Sequence, residues 1–267
     1  MGRIAAAISA AHADGRCALI CYLTGGDPSL SATEDLVCAV ADAGADVVEL
    51  GIPFSDPVAD GPTIQASSHR ALEAGTDVRS LLRSVAKIRA RSSVPIVAMT
   101  YLNPILSYGI PEFAQAGGDA GLDGVIVTDM PADEAHFWIR VARNHELDTI
   151  MLVTPTSTPE RLRAAAELAT GFLYCVSRLG VTGTSAHVSG DAAALLARAR
   201  EVARCHVCVG FGISSPEHVH ALSGIADGVV VGSAIVGLVA EQPSLEQKIK
   251  AAAELVAKLR QASVRTG

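Results

Sequence analysis

The feature that most constrains this chain is a unit that keeps returning. A short, nearly continuous apolar run leads into a polar or glycine-rich loop and then an alanine- and leucine-rich amphipathic segment, at the roughly 30-residue spacing that βαβ units require. The runs are Ala18–Leu23, Asp46–Leu50, Pro95–Leu102, Gly124–Thr128, Thr149–Val153, Phe172–Val176, Val207–Gly210 and Gly228–Val231. They lack the alternation of a half-exposed sheet, which marks parallel strands buried on both faces. Helical patterns between and after them include Leu30–Ala43, Val78–Ala90, Ala132–Asn144, Pro159–Ala169 and Leu245–Gln261. In the last, Leu245, Ile249, Ala252, Leu255, Val256 and Leu259 form one apolar stripe.

Eight strands alternating with helices suit a closed (β/α)8 barrel better than an open doubly wound sheet. A dinucleotide fold should place G-x-G-x-x-G after its first strand, and this chain has Thr24-Gly25-Gly26-Asp27-Pro28 there. No Pro/Gly/Ser-rich linker or shift of composition divides the chain. The expectation is an α/β protein, a single TIM-barrel domain over residues 1–267, with a short N-terminal helix around Ile4–Ile8 and a C-terminal helix.

Hydrophobic residues make up 49% of the chain and aromatics only 4%, which favours aliphatic packing of helices on a sheet over an aromatic-rich sandwich. The net charge of −7, with no basic run beyond Arg89 and Arg91, makes nucleic acid an unsuitable partner. The uncharged stretch Gly228–Ala240 is shorter than the ~20 residues of a membrane span and reads as a buried strand and its turn. Six cysteines, mostly single in or beside apolar segments, make no disulfide framework, so the cytoplasm is the expected compartment. Cys205 and Cys208 look like a metal or redox pair, but on a strand positions three apart face opposite sides. They read as core cysteines, and no metal site is expected.

In such a barrel the reacting groups stand where strands end. Glu49, in Val47-Val48-Glu49-Leu50-Gly51, ends the second run, where a buried carboxylate costs several kcal/mol unless paired or neutralised. No Lys or Arg lies within ten residues of it on either side. The proline-rich loop after it can hold Asp60 nearby, and two carboxyl groups in different surroundings are the usual way to obtain one that shuttles protons and one that stays ionised. Later in the chain, Gly180-Val181-Thr182-Gly183, Gly210-Phe211-Gly212 and Gly232-Ser233 each follow a strand, as glycines of a backbone phosphate cradle would.

These residues also carry a resemblance. Glu49-Leu50-Gly51-Ile52-Pro53-Phe54-Ser55-Asp56-Pro57 through Asp60-Gly61-Pro62-Thr63-Ile64-Gln65 resembles the signature of tryptophan synthase alpha subunits. Gly180-Val181-Thr182-Gly183, Gly210-Phe211-Gly212-Ile213-Ser214 and Gly232-Ser233-Ala234 are similar to its later motifs, in order, so the likeness runs from about Leu19 to Val236. The resemblance implies Glu49, Asp60 and Tyr174 as catalytic groups and Gly183, Gly212, Gly232 and Ser233 around the substrate phosphate. Tyr22, Tyr101 and Phe211 are candidates for the indole pocket, as is Asn103, though packing explains them equally. Pro53, Asp56, Asp129 and Thr182 belong to loops at the mouth or subunit interface. Asp129, before Met130-Pro131, otherwise reads as a cap of the next helix. Many members carry an arginine shortly after the Gly-Val-Thr-Gly motif, where this chain reads Thr184-Ser185-Ala186-His187.

The implied reaction is retro-aldol cleavage of indole-3-glycerol phosphate to indole and glyceraldehyde 3-phosphate, without cofactor or metal in this chain. Indole passes to a beta subunit that carries pyridoxal phosphate, in an alpha2beta2 complex. Another phosphate-binding barrel, a stand-alone indole lyase and an idle partner subunit are the alternatives.

Overall fold

Each apolar run becomes a strand. The computed structural model describes residues 2–176, 190–210 and 212–265. In it β1 (Ala18–Thr24), β2 (Val47–Gly51), β3 (Ile96–Thr100), β4 (Gly124–Val127), β5 (Asp148–Val153), β6 (Phe172–Val176), β7 (His206–Gly210) and β8 (Gly228–Val231) form a closed parallel barrel in sequence order. Closure pairs Ala18 with Gly228 and leaves no strand edge exposed.

Alternation along the strands divides the apolar residues into two cores. Ile20, Val47, Val97, Ile126, Ile150, Phe172 and Val230 fill the barrel, while Leu19, Val48, Leu50, Val125, Leu173 and Val229 face the helices. Helix α1 (Arg3–Ala13) presses Ile4, Ile8 and Ala11 onto the inner core and plugs the barrel's lower end, as expected of the N-terminal segment. Burying two isoleucines there contributes ~1.5–3 kcal/mol each before entropy is counted.

The outer ring comprises α2 (Leu30–Asp42), α3 (Pro62–Glu73), α4 (Val78–Arg89), α5 (Leu102–Tyr108), α6 (Ile110–Ala120), α7 (His136–Asn144), α8 (Pro159–Leu168), α9 (Gly190–Val202), α10 (Pro216–Ser223), α11 (Ser233–Glu241) and α12 (Leu245–Ala262). Capping sets several starts. Ser29, Thr158, Ser215 and Ser244 each accept a backbone N–H at a helix N-terminus, and Asp77 with Ser80 forms a capping box on α4. The stretch Gly228–Ala240 is a strand followed by α11, not a strand and a turn. Leu102, read as the end of a strand, opens α5, and α7 begins at His136 rather than Ala132. Cys208 belongs to the inner core and half-buried Cys205 packs on the outer one, and all six cysteines are free.

The lower rim carries a fourfold device. A residue one or two positions before each even strand turns its side chain to a backbone N–H of the preceding odd strand. Asp46 takes Leu19 N–H at 2.8 Å, Asp123 takes Ile96 N–H at 2.8 Å, Thr170 takes Thr149 N–H at 2.9 Å and Asp227 takes Val207 N–H at 2.8 Å. The three aspartates also meet guanidinium groups. Arg16 reaches both oxygens of Asp46 at 3.1 Å, Arg89 and Arg3 reach Asp123 at 2.7 and 3.2 Å, and Arg200 reaches Asp227 at 3.1 Å. Each of these half-buried carboxylates has its charge matched, and removing either partner would leave an uncompensated one.

Candidate active site

At the upper end a cavity of about 400 Å³ opens among the strand termini. That is the size of a small-molecule site. Tyr22, Glu49, Asp60, Ile64, Met99 and Tyr174 line it, with Gly212, Ile213, Val230, Gly232 and Ser233.

Glu49 reaches the cavity because it shares strand parity with Val47, which faces the inner core, while Val48 and Leu50 face out. It is 2% exposed, and its Oε2 has no hydrogen-bond partner among the described residues. Among the described residues no Lys, Arg or His pairs with it, so the salt bridge that would make it structural is absent. Burial, and then the charge of Asp60, push its carboxyl up to about 8. At neutral pH it holds its proton.

Two glycines make room for the aromatic wall. A Cβ on Gly51 would stand 2.1 Å from the Tyr22 hydroxyl, and one on Gly210 would stand 2.4 Å from the Tyr174 hydroxyl. In both pairs a tyrosine at the middle of one strand leans over the last residue of the next. Tyr174 is 8% exposed, and burial together with the Glu49 charge pushes its phenol well above the usual range, so it remains a neutral hydroxyl.

Asp60 comes from the loop between β2 and α3. The Asp60 N–H donates to Pro57 O at 3.0 Å, and Gln65 Nε2 donates to Asp60 O at 2.9 Å, which fastens the loop to the first turn of α3. Tyr101, a candidate for the indole pocket, does not line the cavity. Its hydroxyl accepts the Ala59 N–H at 3.0 Å and donates to the Asp60 carboxylate, and its ring packs on Phe54 with centroids 5.3 Å apart. Burial raises Asp60 to about 6 and the tyrosine hydrogen bond holds it from going higher. The cavity therefore contains a carboxyl that is protonated near pH 7 beside one that is ionised.

Gly212, with φ of +80°, Gly232 and Ser233 bring backbone from the ends of β7 and β8 to the same cavity. Gly232 is the N-cap of α11 and supplies no side-chain cap, which leaves the helix's first N–H groups available to an anion. Gly183, Thr182 and Phe211, and the stretch Thr184 to His187, lie outside the described residues.

Asn103 is exposed on α5, away from the cavity. Asp129 caps not the helix that follows it but α5, two helices earlier in the chain: its Oδ1 accepts the Leu102 N–H at 2.7 Å. Pro53 is buried, while Asp56 is exposed and accepts from the Ser55 hydroxyl at 2.5 Å. Sequence reading missed Ile64, Met99, Ile213 and Val230. Strand parity could have found Met99, which lies two residues after the inward-facing Val97.

Far from this cavity, His12, His206 and Asp227 place potential ligand atoms within 4.8 Å of one another at the lower rim. Arg265 Nη2 is 3.0 Å from His12 Nε2 and Arg200 bonds Asp227, so guanidinium groups already supply the positive charge there.

Comparison with known proteins finds relatives of the whole chain and of its fold. A family model described as tryptophan synthase alpha chain matches residues 8–264. A tryptophan synthase alpha chain of Geobacter sulfurreducens is 49% identical over 238 residues, covering 89% of this chain and 90% of the relative. Among solved structures, tryptophan synthase subunit alpha from Legionella pneumophila superposes with a TM-score of 0.90 at 36% identity, covering 98% of each chain. A Mycobacterium tuberculosis tryptophan synthase chain gives a TM-score of 0.89 at 38% identity, covering 100% of this chain and 99% of that one.

Proposed function

The chain belongs to the tryptophan synthase alpha chain family, and from that premise we propose how its residues divide the work of cleaving indole-3-glycerol phosphate. The reaction releases indole and glyceraldehyde 3-phosphate. The carbon–carbon bond breaks only when the indole ring becomes an electron sink. Protonated Glu49 gives its proton to indole C3, and positive charge develops on the ring nitrogen. The resulting Glu49 carboxylate takes the proton of the side-chain hydroxyl as the C–C electron pair returns to the ring, so the carboxyl ends as it began. Asp60 remains ionised and accepts the indole N–H as charge builds. Tyr174 orients Glu49 or the substrate, and Tyr22 forms part of the wall for the ring. The substrate phosphate lies at the amides of Gly212, Gly232 and Ser233, with Gly183 as the fourth contact.

The observation that carries this reading is Glu49, a buried carboxyl with no cation among the described residues, facing the same cavity as Asp60. The test is indole release from indole-3-glycerol phosphate by the isolated chain and with a beta subunit. No indole in either case would leave the idle partner as the better reading, and cleavage with no response to the beta subunit would favour the stand-alone lyase.

The partner is a pyridoxal phosphate-dependent beta subunit in an alpha2beta2 complex, and this chain brings no cofactor of its own. Val58, Leu106 and Phe137 support such a contact: they are 84, 53 and 48% exposed and belong to the segments after β2, β3 and β4. Val58 lies in the same loop as Pro53, Asp56 and Asp60, so a partner seated there would order the catalytic loop. We assign residues 1–267 to one domain. No helix among the described residues is long and apolar enough to cross a membrane, and we place the enzyme in the cytoplasm.

A further inference from the structure

Helix α3 starts two residues after Asp60 and is tied to it through Gln65, yet among the described residues little that is apolar holds this helix in place. Its buried residues are Ser67, Ser68 and Ala71, whereas α4 buries Leu81, Leu82, Val85 and Ile88. Two serines and an alanine supply a small part of the burial energy of four large side chains. The docking is polar instead. Ser67 Oγ lies 2.6 Å from Thr24 Oγ1 in a buried contact. One turn on, Arg70 donates from Nε and Nη2 to the two oxygens of Asp27 at 2.9 and 2.6 Å. Asp27 is 7% exposed, so this fork is a partly desolvated pair rather than a loose surface contact. Positions three apart share a helix face, and both partners stand at the end of β1 or in the loop after it.

We infer that the Asp27–Arg70 pair is a positioning device for the cleavage reaction: it fixes the register of α3 along its axis and thereby the place of the Asp60 carboxylate. This rests on the role given to Asp60 above. Arg70 does not line the cavity, so it acts only through the helix it anchors. A bidentate fork sets orientation as well as distance, which an ammonium group cannot do. The phosphate contacts come from the ends of β7 and β8, so loosening α3 should disturb the reacting end of the substrate and spare its phosphate end.

The test is single-turnover cleavage by the full chain with a saturating beta subunit, corrected for the folded fraction. Arg70→Met keeps the aliphatic stem and should slow the step by about 10- to 100-fold, the scale of a misplacement of about 1 Å. Arg70→Lys should fall between Arg70→Met and the parent. Affinity for glycerol 3-phosphate, which presents only the phosphate end, should not change. On an Asp60→Asn background, Arg70→Met should cost little more, because the two losses have one cause. An undiminished loss on that background, or a full rate in Arg70→Met, overturns the inference. A full rate in Asp60→Asn alone would instead remove the role of Asp60 and with it what the pair positions. If Arg70→Met does not fold, Asp27→Asn keeps the shape and decides the question by the same measurements.

Discussion

At the lower rim of the barrel Asp46, Asp123 and Asp227 each accept a strand N–H and at least one guanidinium, while at the upper rim Glu49 and Asp60 meet no cation among the described residues. The chemical group is the same and the consequences are opposite. Carboxylates whose charge is matched hold the strands in register. Unmatched ones keep protonation equilibria close to neutrality, which is what a proton-transfer step uses and what a merely stable protein would avoid. Polar satisfaction thus separates structure from function here more clearly than burial does, since little of either the Glu49 or the Asp123 side chain meets solvent.

The largest effect should come from Glu49→Gln. The amide keeps size and hydrogen-bonding capacity but moves no proton, so single-turnover cleavage should fall by more than the ~10²–10⁴ of one acid–base step, because the residue serves twice. Substantial activity would overturn its role. Stability should move the other way. The native carboxyl keeps its proton to about pH 8, whereas an ordinary glutamate releases it near 4.5, so the folded state binds more protons across that window and the parent loses stability as pH rises through it. Glu49→Gln should lack this loss, and above pH 8 its Tm should equal or exceed the parent's.

Asp60→Asn comes next, removing a fixed charge worth ~3–4 kcal/mol of transition-state stabilisation. The parent's kcat/KM should be bell-shaped, falling as pH drops through about 6, where Asp60 takes a proton, and as it rises through about 8, where Glu49 loses one. These are apparent values of an interacting pair. Asp60→Asn should flatten the acid limb and keep the basic one; an acid limb unchanged in that variant would assign it to another group.

At the lower rim the pattern should invert. Asp123→Ala strands two arginines and the Ile96 N–H, and should lower unfolding free energy by about 3 kcal/mol while leaving kcat per folded molecule unchanged. A denaturant titration paired with the cleavage assay measures both. The smallest effect is expected at the phosphate end: Gly212→Val forces a β-branched residue into φ of +80° and should raise KM about tenfold, or ~1.4 kcal/mol, with kcat less affected. An unchanged KM would count against that site.

Much of this was legible in the sequence. Strands buried on both faces need continuous apolar runs, so all eight appear within a residue or two of their observed ends, and Glu49 stood out because a charge inside such a run has no local partner. Elements without an apolar stripe were less visible: α3 reads Pro62-Thr63-Ile64-Gln65-Ala66-Ser67-Ser68, which carries no core-facing period. Helix α11 was hidden for the opposite reason, since Ile235, Val236, Leu238 and Val239 continue the apolar run of β8. Side chains acting across elements were out of reach altogether. Tyr101 looked like a pocket wall and instead holds the Asp60 loop. Asp129 looked like a cap for the next helix and instead caps α5, far behind it in the chain. The lower-rim aspartates reach neighbouring strands that no local pattern identifies.

Closure by β1 and β8 also sets a timetable for the nascent chain. Ala18 cannot find Gly228 until nearly the whole barrel has left the ribosome, and at ~5–20 residues per second the first strand waits ~10–40 s with one edge unpaired. Chains halted before Gly228 should therefore be cut by protease within β1, and completion through β8 should protect it. Arg16, which directly precedes β1 with Cys17, joins Asp46, and Asp46 is also reached by Arg260 of α12, so the last helix to emerge locks the first strand into place.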